Sequence, residues 1–171
     1  MCAAASRCAG VREASKSVEP GMGSEPAIAS RVPQEKGVFK GIRVPVIGLL
    51  GIGGCELSLA HAEATGRVVS AMDPRYLSLL TLMLVPGTPL DEQWRQGTFQ
   101  LLEPEALLAE LRHVILHLEG LSGCIFRTNH ASNYLPLAGT LPKDKPRLLA
   151  TLDAALSRGR GALRPEAWRA L

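Results

Sequence analysis

Three short stretches collect the residues best suited to chemistry. GLLGIGGCE sets Gly51, Gly53 and Gly54 ahead of Glu56. Where side chains are missing a ligand can reach the backbone, and a helix beginning there offers its N–H groups to negative charge. The same glycines equally suit a tight turn under a closely packed helix. LVPGTPL encloses Gly87 and Thr88 between Pro86 and Pro89, which fixes an unusual backbone path whether for a ligand or as a plain turn. RTNHASNY is the densest, holding Arg127, Asn129, His130, Ser132, Asn133 and Tyr134. Arginine presents a fork for carboxylate or phosphate, asparagine both donates and accepts, and histidine moves protons near neutral pH. The alternative is a loop bonded to itself, with Asn and Ser capping backbone groups.

Several chemistries are disfavoured by spacing. His130 and Ser132 are two apart and no G-x-S-x-G elbow is present, which argues against a Ser-His hydrolase. The glycine run is G-x-G-G and the next apolar segment ends in Leu84-Val85 without an acid for a ribose, unlike a dinucleotide fingerprint. His113 and His117 stand four apart without an H-E-x-x-H pattern and read as a solvated helix face, so no metal ligands are assigned.

Alternating strands and helices must position these stretches. Ile42 to Leu50 is an apolar run without charge after Arg43 and reads as a strand covered on both faces. Glu56 to Met72 then reads as a helix whose core stripe is Leu57, Ala60, Ala64, Val68 and Met72. A second strand is expected over Tyr76 to Val85, a short helix near Asp91 to Gln96, and a longer one from Glu103-Pro104-Glu105 to about Glu119. Cys124 to Thr128 reads as a third strand, Asn129 to Pro142 as a polar loop, and Lys143 to Arg158 as a final helix. Three strand-then-helix units in series imply an α/β fold with a parallel sheet, either part of a (β/α) barrel or an open doubly wound form. In both, ligand loops gather at the C-terminal strand ends, where all three stretches fall.

Composition bounds the rest. The 171 residues allow one domain or part of one, and 46% hydrophobic content suffices for a core. Every leucine lies at or after position 49. Residues 1–35 are Ala, Ser, Gly, Pro and charge without apolar period and read as a disordered or non-native leader; 36–158 form the folded part and 159–171 a tail. A net charge of +3 with dispersed basic residues gives no nucleic-acid footprint, and the apolar runs are too short to span a membrane. Cys2, Cys8, Cys55 and Cys124 lack paired spacing and no secretory signal is visible, which makes the cytoplasm the default location.

The stretch from about Lys36 to Leu156 resembles the C-terminal half of a radical S-adenosylmethionine (radical SAM) barrel, of the group with Elongator-type and coproporphyrinogen oxidase-type cores. The residues that carry the resemblance are VIGLLGIGGCE, MDPRYLSLLTLMLVPGTPL and FRTNHASNYLPLAGTLPKDK, in that order. The resemblance implies a partial parallel (β/α) barrel of about three units. It further implies a family chemistry in which a 4Fe-4S cluster on three cysteines reduces S-adenosylmethionine to a 5'-deoxyadenosyl radical. The family's C-x3-C-x2-C motif is absent from this sequence. In the family's G-x-I-x-G-x-x-E pattern, Gly53 and Glu56 match the second half, while Leu49 and Gly51 depart from the first. By the resemblance, Gly51, Gly53, Gly54 and Glu56 flank the adenosyl group, Gly87 and Thr88 lie near the same ligand, and Arg127, Asn129, His130, Asn133 and Tyr134 face the substrate side. The chain is then expected to be a C-terminal fragment, inactive alone, behind a fused or mis-started leader. Such a fragment leaves sheet edges uncovered and open to self-association. The alternatives are a small α/β binding or partner module that completes its sheet with another chain, and an iron-independent nucleotide-binding enzyme.

Overall fold

The computed structural model describes residues 44–170; the proposed leader, residues 1–35, lies outside them. The described chain is a mixed α/β unit with a four-stranded sheet. Strand β1 (Pro45–Leu50) leads through a glycine turn into α1 (Gly54–Met72), and β2 (Tyr76–Thr81) follows. Next come α2 (Pro89–Arg95) and α3 (Pro104–His117), then β3 (Cys124–Arg127), β4 (Ala138–Leu141) and α4 (Lys145–Arg158). Two 3-10 turns, Gly159–Ala162 and Glu166–Trp168, finish the chain.

The strands lie in sequence order, β1-β2-β3-β4, and the first three are parallel. Leu77 and Phe126 are paired in register and buried, and Leu79 is buried on the same helix-covered face of the sheet. The opposite face carries Ile47, Leu49 and Tyr76, all exposed, together with Ser78, Ile125 and Arg127. The period-two alternation thus buries one face and leaves the other open. The core is made by that buried face with α1, α3 and α4, where Val114, Ile115, Leu148 and Leu152 are fully enclosed. Among the described residues no helix is long and apolar enough to cross a membrane.

The expectation of a first strand covered on both faces is corrected by the exposure of Ile47 and Leu49, and β2 ends at Thr81 instead of Val85. Two further expectations are corrected. The polar loop Asn129 to Pro142 contains a strand, β4, which pairs antiparallel with β3 and so ends the run of parallel strand-helix units. Four residues, AGTL, are too few to show a period, and their ladder to Cys124–Arg127 makes the strand. The second correction is the face that α1 buries. Leu57 and Val68 are 60% and 57% exposed, and the buried residues are Gly54, Ser58, Ala62, Gly66 and Val69. Size explains the reversal. A Cβ on Gly66 would stand 2.5 Å from His117 Cβ, so α1 and α3 approach where α1 has the least side chain. The larger apolar stripe is left facing outward. His117, read as part of a solvated face, therefore packs its Cβ against α1 while its Nδ1 meets the His113 carbonyl at 2.9 Å.

Gly66→Val forces these helices apart. The expected loss is about 1–3 kcal/mol, or more if the backbone cannot shift, read as a lower urea midpoint in chemical denaturation.

Candidate functional site

The C-terminal ends of the parallel strands carry the three predicted stretches. At the first, the chain leaves β1 through Gly51, whose φ of 84° is a left-handed conformation that glycine adopts freely. The Gly51 N–H donates to Glu110 Oε1 on α3 at 2.8 Å. The Ser58 hydroxyl donates to Glu110 Oε2 at 2.5 Å, and His61 Nδ1 stands 3.0 Å from Oε1. Glu110 is 0% exposed. A carboxylate in that position accepts from three donors on the turn and the first two turns of α1, which offsets part of its lost hydration. With Nδ1 donating, His61 Nε2 accepts from Thr65, 3.4 Å away.

The glycines of this turn are accounted for mainly by internal packing. A Cβ on Gly54 would meet the Gln100 carbonyl and the Phe99 ring at 3.1 Å, and one on Gly51 would meet Leu107 at 3.0 Å. Gly53 is half-buried at the N-cap of α1, and Glu56 is exposed in its first turn. At the second stretch Thr88 is the N-cap of α2 and accepts from the Asp91 N–H, while the Gly87 N–H donates to the Asp91 carboxylate at 2.9 Å. Gly87 has a φ of 80° and open space where a Cβ would stand.

The third stretch divides between inside and outside. Asn133 is buried: its amide donates to the carbonyls of Leu79 and Thr128 at 2.8 and 3.0 Å, and its oxygen accepts from the Thr81 hydroxyl at 2.9 Å. Ser132 is also buried, and both its N–H and its hydroxyl lie within bonding distance of His130 Nδ1. Tyr134 is buried under Arg169, whose guanidinium carbon stands 4.1 Å from the ring centroid, and its hydroxyl donates to Glu166. Arg127, Asn129 and His130 are exposed. Arg127 donates to the Phe126 carbonyl at 2.8 Å from the strand position that turns to the open sheet face.

Tyr134 and Gly51 line a cleft of about 630 Å³ together with Leu82, Leu107, Arg160 and Arg169; Gly87, Thr88 and Arg127 stand outside its lining. Two features escape the sequence: the acid that pins the Gly51 turn and the segment that covers the cleft. One is Glu110, although an acid between Leu107 and Leu111 on the apolar stripe of α3 is a visible anomaly. The other is the tail: Arg164 donates to the carbonyls of His130, Ala131 and Asn133, and Arg169 to that of Ser132.

Burial, together with the Glu166 carboxylate that its hydroxyl meets, pushes the Tyr134 phenol up to about 12. Burial pushes the Cys124 thiol up to about 11, with Asp73 adding to the effect. Cys55, the other described cysteine, contacts the Leu101 carbonyl. Among the described residues no group of three His, Cys, Asp or Glu side chains is placed to hold a metal ion. The two described cysteines, one held as a neutral thiol inside a strand, do not by themselves supply the three thiolates such a cluster needs. No protein-family model, curated protein or solved structure matches the chain.

Two outcomes follow. Glu110→Gln leaves one acceptor oxygen for three donors and should cost roughly 1–3 kcal/mol, and Glu110→Ala more because a cavity is added; denaturant unfolding reads both. The raised Tyr134 phenol stabilises the fold fully below its unfolded value near pH 10, and this contribution is lost as pH rises toward 12. Tyr134→Phe should flatten stability against pH in that window.

Proposed function

We propose that residues 44–158 are the C-terminal part of a radical SAM-type barrel, and that their strand-end loops flank the adenosyl group of S-adenosylmethionine. The observation that carries this reading is the one-sided sheet: three parallel strands in sequence order, covered by helices on one face and open on the other, where Ile47, Leu49 and Tyr76 are exposed beside Ser78 and Arg127. An open doubly wound sheet is covered on both faces, whereas an arc of a barrel turns one face inward. The order of the three resembling segments supports it independently.

Within this reading Gly51 and Gly54 shape the first turn, while Gly53 and Glu56 stand at its accessible side for the adenosyl group, with Gly87 and Thr88 on the next loop. Arg127, Asn129 and His130 are the accessible groups of the substrate-side loop; Asn133 and Tyr134 hold that loop in place. The described residues supply no cluster, so no radical step is assigned to them. The antiparallel β4 is a departure from a regular barrel and closes the sheet after its third parallel strand.

S-adenosylmethionine added to isotope-labelled protein should perturb the amide resonances of Gly53, Glu56, Gly87 and Thr88, and NAD should not. Preference for NAD, or no perturbation by either, would overturn the assignment. After anaerobic reconstitution with iron and sulfide the chain alone should form no 5'-deoxyadenosine.

A further inference from the structure

We infer that β1 and α1 form a two-fold interface for a second copy of this chain, a conclusion that holds independently of the cofactor reading. The two edges of the sheet are unlike. At β4 the outward groups are already bonded by α4: the Thr140 N–H donates to Asp144 Oδ2 at 2.7 Å, the Thr140 carbonyl accepts from the Asp144 N–H at 2.8 Å, and Arg147 donates to the Ala138 carbonyl at 2.9 Å. At β1, by contrast, no described residue pairs with the side away from β2. An unpaired edge is a template for another strand. Because β4 is blocked, a second copy cannot add head to tail along the sheet. It can add through β1 to β1, and an interface that uses one patch on both copies is two-fold, which sets the strands antiparallel.

The same axis brings α1 against α1, and the outward stripe of α1 is suited to that meeting. Leu57, Ala60 and Val68, all exposed, and the half-buried Ala64 follow one another at helical spacing on the outward side. In an antiparallel pair centred between Ala62 and Glu63, Leu57 meets the partner's Val68 and the reverse, while Ala60 and Ala64 of both copies lie at the axis, where small residues allow close approach. The charges agree with that alignment. Glu56 and Arg67 are both exposed beside the stripe, and the pairing sets Glu56 within a turn of the partner's Arg67, whose present contact is Glu63 on its own helix. The heights agree as well. Eight residues down α1 from Gly54 is about 12 Å, and the same drop along β1 from Leu50 reaches about Ile47, near the middle of the strand.

Sedimentation velocity and light scattering on the full chain test this. The expected species has twice the 18.2 kDa monomer mass. Val68→Glu, at an exposed position, should return it to monomer mass with an unchanged far-UV circular dichroism spectrum. Glu56→Arg should weaken the dimer at least tenfold, and Glu56→Arg with Arg67→Glu should restore it. A monomer at high micromolar concentration, an open-ended aggregate, or a dimer indifferent to all three substitutions would each overturn the inference.

Discussion

The carboxylate of Glu110 is the constraint from which much of the rest follows. It is sealed from water without a lysine or arginine beside it, and a buried charge in that state is tolerated only if its oxygens are saturated by donors. The donors come from the turn after β1 and from α1, so the acid on α3 fixes both the path of the chain out of the strand and the approach of the following helix. Ser58 must sit within hydrogen-bond reach, which draws α1 close to α3 along its whole length. The buried face of α1 is accordingly built of the small residues Gly54, Ser58, Ala62 and Gly66, with Val69 as its one larger side chain. The outward position of Leu57 and Val68 is therefore a result of the polar contact as much as of the apolar ones.

This also shows which parts of the molecule were legible in the sequence. Strands β1 and β2 and helices α1, α3 and α4 could be placed from uninterrupted apolar runs, prolines at first turns and stops such as Asp73-Pro74, because these signals are local. The orientation of α1 was not legible. A periodicity argument weighs side chains by hydrophobicity, while a close helix contact selects them by smallness, and in α1 the two criteria choose opposite faces. Strand β4 escaped because its identity lies in pairing with β3 rather than in its own four residues. In the third stretch residue type marks the hydrogen-bonding groups, but type alone does not say which of them point inward. Asn133, Ser132 and Tyr134 do, and Asn129 and His130 do not.

The sheet is asymmetric in both of its free directions. Its helix-covered face is a dense core, whereas its other face exposes Ile47 and Leu49; its β4 edge is closed by Asp144 and Arg147, whereas no described residue closes its β1 edge. Such asymmetry concentrates unsatisfied surface at one corner, around β1 and the outer side of α1. A chain with these properties presents a single direction for growth. The barrel reading and the two-fold interface both draw on that corner, one for the completion of the fold and the other for the chain as it stands.

The Asn133 side chain carries a further consequence. One amide spans the ends of β2 and β3, holding Leu79 and Thr81 on the first and Thr128 just beyond the second. The loop that bears Asn129 and His130 is thereby anchored from the sheet beneath it, and the tail rests on it from above through Arg164 and Arg169. Anchorage and cover are thus separate pieces of the chain. The Asn133 side chain has its partners on β2 and just beyond β3, while Arg164 of the tail meets the same residue at its backbone carbonyl, so the exposed tip is held from two sides by groups that do not compete.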